Sequence, residues 1–309
     1  MALAWLPYAD VAEAERRLGG IPPGIDVDCY RGFDHPWPDT ISRVEFYVLP
    51  YMTGAEVLTR VREMTRLRVI QTQTAGVENF LPHVPDGVTL CNAAGVHDAS
   101  TAELAIALTL ASGRRLDSFA RNMSAGRWDF EFGSALADKR VLIIGYGNIG
   151  AAIERRLAGF EVASVTRVAR RRRTGDVEVH PITELDALLP DTDVAIVIAP
   201  HTPQTEGMIG AQQLRLLPDQ ALLVNVARGR LVDTDALLAE VSTGRIRAAL
   251  DVVEPEPLPA DHPLWRAPGV LISPHVGGAS SAFFPRADRL IAAQLKRFAH
   301  GQPLENTVT

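Results

Sequence analysis

The chain reads as an α/β protein of two parallel-sheet domains, the larger one doubly wound and inserted into a smaller one. Three observations predict this. Short apolar runs rich in β-branched residues alternate with helical patterns along most of the 309 residues, the mark of parallel sheets covered by helices. A glycine turn, Gly145-Tyr-Gly-Asn-Ile-Gly150, sits between one such run and a helical pattern. A turn of this kind normally opens its own unit with the first strand, yet here that strand starts at residue 141, so the residues ahead of it form a separate domain.

The elements follow in order. In the first third the spacing predicts strands at Leu3–Leu6, Val44–Leu49, Arg68–Gln73 and Thr89–Asn92, with a helix at Ala55–Thr65. A long helix is predicted from Ser100 to about Ala120, opened by Ser100-Thr-Ala-Glu103, whose hydroxyl and carboxylate can satisfy the first free N–H groups. Residues Gly126–Lys139 are mixed and aromatic and read as a loop. The second unit has predicted strands at Val141–Ile144, Val162–Thr166, Val194–Ile198, Ala221–Val226, Arg247–Val252 and Val270–Ser273. Helices such as Ile149–Ala158 and Asp233–Thr243 lie between them, and a last helix spans about Pro285–His300. The inserted domain is placed at 99–282. Residues 1–98 and the tail 283–309 form the other domain, which makes the cleft between the two the expected active site.

Composition narrows the function. The formal net charge of −6 gives no general reason to expect nucleic acid or an anionic membrane as partner. The two cysteines, Cys29 and Cys91, form no CxxC, so neither a disulfide framework nor a thiolate metal site is expected. The N-terminus turns acidic and proline-bearing too early for a signal peptide. No apolar run reaches the roughly 18–20 residues that span a bilayer. A cytoplasmic protein is the expectation. The eight histidines show no HxxxH spacing, and no catalytic metal is expected.

Each glycine of the turn has a reason. Gly145 permits the tight bend, Gly147 lacks the side chain that would block a pyrophosphate, and Gly150 lets the helix pack on the strand. The helix start, Asn148–Gly150, offers free N–H groups and a positive dipole end to phosphates. Strand, turn and helix in this order predict a Rossmann-like dinucleotide site. A site for NAD usually carries Asp or Glu about 20 residues after the first glycine, to bind the ribose 2′-OH. Thr166 and Arg167 stand there instead. Arginine binds a 2′-phosphate by charge-assisted hydrogen bonds, so NADP(H) is the favoured cofactor and NAD(H) the other. Arg167 and one of Arg170 or Arg171 are assigned to that phosphate, and Arg172 and Arg173 to solvent.

In a parallel sheet, ligands bind beyond the carboxyl ends of the strands. Arg228 follows the strand ending at Val226, Glu256 the strand ending near Val252, and His275 the strand ending at Ser273. All three should emerge on the edge that holds the glycine turn. His275 can give a proton to a carbonyl oxygen. Glu256 can hold the other ring nitrogen and favour the charged ring. Arg228 can bind a substrate carboxylate and polarise the adjacent carbonyl. Pro200, Val226, Ala227 and Gly277 lie at the same strand ends and join the cofactor set. His201 can line that site but reads first as loop structure, and His97 reads as a capping or packing residue. In the first domain, Thr74-Ala75-Gly76-Val77 follows a strand with small residues and can cradle an anion.

The segments VLIIGYGNIG, LLVNVARGRLVDTDALLAEVSTGRIRAALDVVEPEPLPADHPLW and LISPHVGG, with TAGV at Thr74–Val77, cover most of residues 70–280. Through them the chain resembles the D-isomer-specific 2-hydroxyacid dehydrogenases. The resemblance implies two Rossmann-like domains, a cofactor domain inserted in a flavodoxin-like substrate domain. It implies an Arg–Glu–His catalytic set at Arg228, Glu256 and His275, and Asp251 as a contact to the nicotinamide end. It assigns the substrate carboxylate to Arg228 and the backbone of Ala75–Val77. It also implies a homodimer joined largely through the cofactor domains. The absence of an acid at Thr166–Arg167 and the short chain lean towards the branch acting on glyoxylate and hydroxypyruvate. Glu256 argues against the formate branch, and the lack of lysine in Gln71–Phe80 against the phosphite branch. Two other readings stay open: a dinucleotide-sensing binding module of the same superfamily, and a dehydrogenase of a non-carboxylate substrate. The side chains closing over the substrate are expected among Tyr51, Met52 and Phe283 or Phe284.

Overall fold

The computed structural model describes residues 1–32 and 34–309. They group into two compact units, Met1–His97 with Ser281–Thr309, and Asp98–Ser280. The crossings fall one and two residues earlier than the bounds drawn from the sequence.

The first unit holds β1 (Ala2–Leu6), α1 (Val11–Leu18), β2 (Ile25–Cys29), β3 (Val44–Val48), β4 (Val69–Gln71) and β5 (Thr89–Cys91). The sheet is parallel in the order β2-β1-β3-β4-β5, the flavodoxin-like order. Alternation along β1 sorts its side chains. Leu3 and Trp5 face a core with Tyr30, Tyr47 and Ile70, while Ala4 and Leu6 face one with Phe46, Val69, Ile291 and Leu295. The last two come from the final long helix, α8 (Phe283–Ala299), which returns to this unit. β2 and α1 were not read from the sequence. α1 is capped by Asp10, whose carboxylate accepts from Glu13 N–H, and is closed by Gly19 at φ 74°. The helix predicted at Ala55–Thr65 is two short 3₁₀ turns, Ala55–Leu58 and Val61–Glu63.

The second unit opens with α2 (Asp98–Gly113) and α3 (Leu116–Ser124). The single helix predicted from Ser100 is therefore two, broken where Arg115 takes a left-handed φ of 57°. α2 already starts at Asp98, so Ser100 lies inside its first turn and bonds Ser280 Oγ at 2.6 Å instead of serving as the cap. The strands are β6 (Arg140–Ile144), β7 (Ser164–Ala169), β8 (His180–Pro181), β9 (Val194–Val197), β10 (Leu222–Asn225), β11 (Arg247–Leu250) and β12 (Val270–Ile272). Between them lie α4 (Asn148–Leu157), α5 (Leu185–Leu188), α6 (Ala211–Leu216) and α7 (Thr234–Ser242). All pairings are parallel, in the order β12-β11-β10-β9-β6-β7-β8. The chain reverses between β6 and β9, the switch point at which ligands bind in doubly wound sheets. Both faces are buried: Val141, Ile143 and Ile196 pack under α2 and α4, and Leu142, Ile144 and Val197 on the opposite face. No helix among the described residues is long and apolar enough to cross a membrane.

Candidate active site

The glycine turn sits at the switch point. Gly145 has φ +108°, and a Cβ there would fall inside the backbone of Ile198 and Ala199, so only glycine fits. A Cβ on Gly150 would meet Gly145 O at 3.0 Å and Ile143 Cγ2 at 3.3 Å, the close packing of helix on strand. Gly147 is different, with nothing within 4 Å of the built Cβ. Its bareness leaves open space over the turn. The N–H groups of Asn148, Ile149 and Gly150, at the start of α4, donate to no acceptor among the described residues. An open cradle with three free amides at a helix N-terminus suits a pyrophosphate.

The strand after the turn runs further than its sequence showed. β7 ends at Ala169, so Thr166 and Arg167 are in register with Leu142 and Ile143, inside the sheet and short of its edge. Arg167 is bound by Glu154 of α4, Nε to Oε2 at 2.8 Å with a second, shorter contact to Oε1. Glu154 in turn takes the Tyr146 hydroxyl at 2.5 Å. The Arg167 hydrogen bond holds the Glu154 carboxyl below its ordinary range, against the opposing effect of burial. The assignment of Arg167 to a cofactor phosphate is therefore corrected, and Thr166, placed with the cofactor residues, lies inside the sheet beside it. Arg170 and Arg171, the first residues beyond the strand, are exposed and make no ion pair among the described residues. Arg172 and Arg173 are not simply solvated either. Arg172 pairs with Glu178 and Glu184, and Arg173 donates to the Tyr146 carbonyl.

At the end of β10, Asn225 is 1 % exposed and folds back on the loop it opens. Its Oδ1 accepts from Ala227 N–H at 3.1 Å and its Nδ2 donates to Arg228 O at 2.9 Å. Arg228 NH1 donates to the Ala227 carbonyl at 2.8 Å. A Cβ on Gly229 would fall on the backbone of Val253, which is why this position is glycine and why the two loops lie in contact. Val226 and Ala227 are buried; Pro200 is exposed just past β9. Asn225 was missed from the sequence, where a buried asparagine at a strand end looks like any loop residue.

The next two strands bring Glu256 and His275 together. His275 Nδ1 and Glu256 Oε1 are in short hydrogen-bond contact. Pro255 and Pro257 flank Glu256 and fix φ on both sides of it. That hydrogen bond raises the His275 pKa above its ordinary value, overriding burial and the nearby Arg228 charge, which lower it. His275 has φ 52°, a left-handed conformation uncommon for any residue with a side chain. Asp251, just past β11, lies beneath the same loop and is 2 % exposed. Gly277 is buried against the Asp251 carboxylate.

In the first unit, the Thr74–Val77 turn follows β4. Thr74 Oγ1 donates to Gly76 O at 2.8 Å, and Asn92 Nδ2 to Ala75 O at 3.0 Å. The N–H groups of Ala75, Gly76 and Val77 donate to no acceptor among the described residues, as an anion cradle requires. His97 packs, with Nε2 2.9 Å from Gln73 O and its ring stacked on Phe283. Phe283 is itself a core residue at 2 % exposure, stacked on Tyr51, and is not available to cover a substrate. Met52 and Phe284 are exposed. His201 Nε2 is buried without a hydrogen-bond partner, 3.9 Å from Glu206. Among the described residues no group of three His, Cys, Asp or Glu is placed to hold a metal ion.

A switch-point cradle beside an Arg and a paired Glu–His defines a dinucleotide-binding α/β protein. The family model for the D-isomer specific 2-hydroxyacid dehydrogenase, NAD binding domain, matches residues 106–277. The chain is 34% identical over 249 residues to a glyoxylate reductase of Thermofilum pendens, covering 76% of this chain and 73% of that protein. It is 32% identical over 261 residues to a D-3-phosphoglycerate dehydrogenase of Archaeoglobus fulgidus, covering 82% of this chain but only 49% of that one. It thus spans about half the length of the latter. Among solved structures it is similar to a D-isomer specific 2-hydroxyacid dehydrogenase from Xanthobacter autotrophicus Py2 in complex with NADPH and MES, with TM-score 0.81, 29% identity, and coverage of 100% and 98% of the two chains. The chain belongs to the D-isomer specific 2-hydroxyacid dehydrogenase family and is an oxidoreductase with an NAD-type binding domain.

Proposed function

We propose that the protein transfers a hydride between NADP(H) and a small 2-oxoacid, with the D-2-hydroxyacid as the reduced partner. The observation that carries the reading is the His275–Glu256 contact, set on the strand edge that also bears the glycine turn. The free amides of Asn148–Gly150 and the bare Gly147 suit the pyrophosphate, and Arg170 with Arg171 the 2′-phosphate. When bound, the reduced nicotinamide supplies the hydride. His275 then gives its proton to the carbonyl oxygen and takes it back in the reverse direction. Glu256 favours the charged ring and orients it. Arg228 is assigned to the substrate carboxylate and the polarised carbonyl, and the amides of Ala75, Gly76 and Val77 to the same carboxylate. Similarity to a glyoxylate reductase supports a two- or three-carbon oxoacid such as glyoxylate or hydroxypyruvate.

We place the enzyme in the cytoplasm as a homodimer. Both cysteines are free thiols, in keeping with a reducing compartment. Trp128, Phe130 and Phe132 are 100%, 78% and 89% exposed on a stretch without helix or strand, an apolar surface suited to a second copy. Sedimentation of the wild type and of Trp128→Ser tests this; a monomeric wild type would overturn the dimer. The function is tested by absorbance at 340 nm with NADPH and NADH over a panel of 2-oxoacids. NADPH-dependent turnover of a small oxoacid is expected. Turnover with NADH alone would overturn the cofactor, and dinucleotide binding without any turnover would overturn the enzyme reading.

A further inference from the structure

Asp251 is resemblance-implied as a nicotinamide contact, yet its geometry has another use. Its backbone bridges two strand ends: the N–H donates to Asn225 O at 2.9 Å and the carbonyl accepts from His275 N–H at 2.8 Å. Its carboxylate is occupied by the loop after β12. Oδ1 accepts from Ser273 Oγ at 2.6 Å and from Val276 N–H at 2.9 Å, and Oδ2 accepts from Gly277 N–H at 2.7 Å. Every one of these donors lies within two residues of His275. The carboxylate is buried, so charge-assisted bonds to it are strong and specific in direction.

The loop needs such a holder. His275 sits in a left-handed conformation that side-chain-bearing residues enter at a cost. The bonds on both sides of it, to Ser273, Val276 and Gly277, converge on one side chain. A Cβ on Gly277 would come within 2.9 Å of Asp251 Oδ2, so glycine there lets the amide approach. The far side of Gly277 is tied as well, its carbonyl accepting from Thr101 Oγ1 at 3.2 Å.

We propose that Asp251 is a positioning residue for His275, acting through its side-chain bonds to Ser273, Val276 and Gly277 to hold the imidazole against Glu256. The proposal rests on His275 as the proton donor in the reading above. It adds how one side chain sets that donor's place.

The test uses Asp251→Asn and Ser273→Ala in the full chain. An asparagine has one acceptor oxygen and one NH₂, so in either orientation it presents a donor to at least one loop donor. Asp251→Asn should lower kcat about 100-fold at saturating cofactor, the scale of a displaced acid–base group. The dissociation constant for NADPH, from protein fluorescence, should change far less than kcat, staying within about threefold. Ser273→Ala removes one charge-assisted bond and should lower kcat about fivefold. The His275 ring resonances, titrated by NMR and assigned with His275→Ala, should show a lower midpoint in both variants as the Glu256 contact loosens. Ser273→Ala keeps the Asp251 charge, so a fall there reports geometry alone. A wild-type kcat in Asp251→Asn with NADPH affinity weakened tenfold or more would overturn the proposal in favour of a nicotinamide contact. If Asp251→Asn does not fold, an unchanged kcat and ring midpoint in Ser273→Ala overturn it. The ring titration needs no turnover, so it tests Asp251 even if no 2-oxoacid is reduced, whereas full activity in His275→Ala would sink only the functional reading.

Discussion

The guanidinium of Arg167 is bound to the carboxylate of Glu154, and the Tyr146 hydroxyl completes the set. Strand, helix and glycine turn are thus pinned by one partly buried acid. An arginine so engaged is a poor ligand for a phosphate arriving from solution, whereas Arg170 and Arg171 stand beyond the strand without partners among the described residues.

Cofactor choice should therefore divide between these arginines. Arg170→Ala/Arg171→Ala should raise the KM for NADPH by about tenfold or more while leaving NADH use unchanged, each lost charge-assisted bond being worth about 1.5–3 kcal/mol. Arg167→Ala should instead lower stability by about 1–2 kcal/mol, since it strands Glu154, with the NADPH KM nearly unchanged. Steady-state kinetics with both cofactors and urea unfolding check the pair. A large NADPH defect confined to Arg167→Ala would reverse the assignment.

The His275–Glu256 pair fixes the sign of a pH effect. Glu256 raises the His275 pKa, so the charged ring persists above the ordinary value of about 6.5. Reduction, which needs the proton, should hold below the raised pKa and fall as pH climbs through it. Oxidation should rise over the same limb. Glu256→Gln should move that limb to lower pH in kcat/KM profiles. Any stability from the pair has the same sign, present below the unfolded pKa and lost as pH rises through the folded one, and is small because both side chains are substantially exposed. An unmoved profile would separate Glu256 from the proton transfer.

Removing the donor itself is the plainer experiment. His275→Ala should cost about 10²–10⁴-fold in kcat, the usual range for a positioned acid, with dinucleotide affinity by fluorescence retained. Arg228→Ala should lower kcat/KM for a 2-oxoacid strongly and for an uncharged ketone much less. Equal losses on both substrates would argue that Arg228 does not read the carboxylate.

Backbone packing predicts a structural lesion as well. In Gly229→Ala the new methyl would overlap the Val253 backbone, so one of the two loops must shift. The variant should lose more than about 2 kcal/mol of stability by thermal or urea unfolding, as overpacking does, and most of its activity. Gly147→Ala meets no protein atom within 4 Å. It should fold normally and lose dinucleotide affinity, which calorimetry would register.

What the sequence revealed follows from the kind of signal each feature leaves. The glycine turn was legible because strand, bend and helix impose residue types within a few positions. The Arg228, Glu256 and His275 loops were legible because apolar strands mark where a parallel sheet ends. β7 was misjudged because Ser164, Thr166 and Arg167 interrupt its apolar residues, leaving no continuous apolar run to mark its end. β2, Ile-Asp-Val-Asp-Cys, is an edge strand with acids at alternate positions and reads as loop. The break between α2 and α3 depends on one left-handed arginine, for which composition gives no warning. Asn225, and the bonds of Asp251 to the His275 loop, escaped for a different reason. Their partners are mostly backbone groups, and for Asp251 these lie more than twenty residues away along the chain. A pattern of side chains cannot display such bonds.

The return of the chain to its first unit has a consequence for synthesis. Asn92 N–H donates to Asn306 O, Val308 N–H to Leu90 O, and α8 fills one face of the β1–β5 sheet. These contacts join segments more than two hundred residues apart, across a contiguous unit that holds all its own strands. On the ribosome the inserted unit can close as soon as it emerges, while the first five strands wait with the face that α8 shares with α1 only partly covered. Domains fold as units during translation, and exposed apolar faces are where chains go astray. The N-terminal sheet is thus the last part of the chain to complete its core, and slowing elongation between residues 98 and 280 should lengthen that wait.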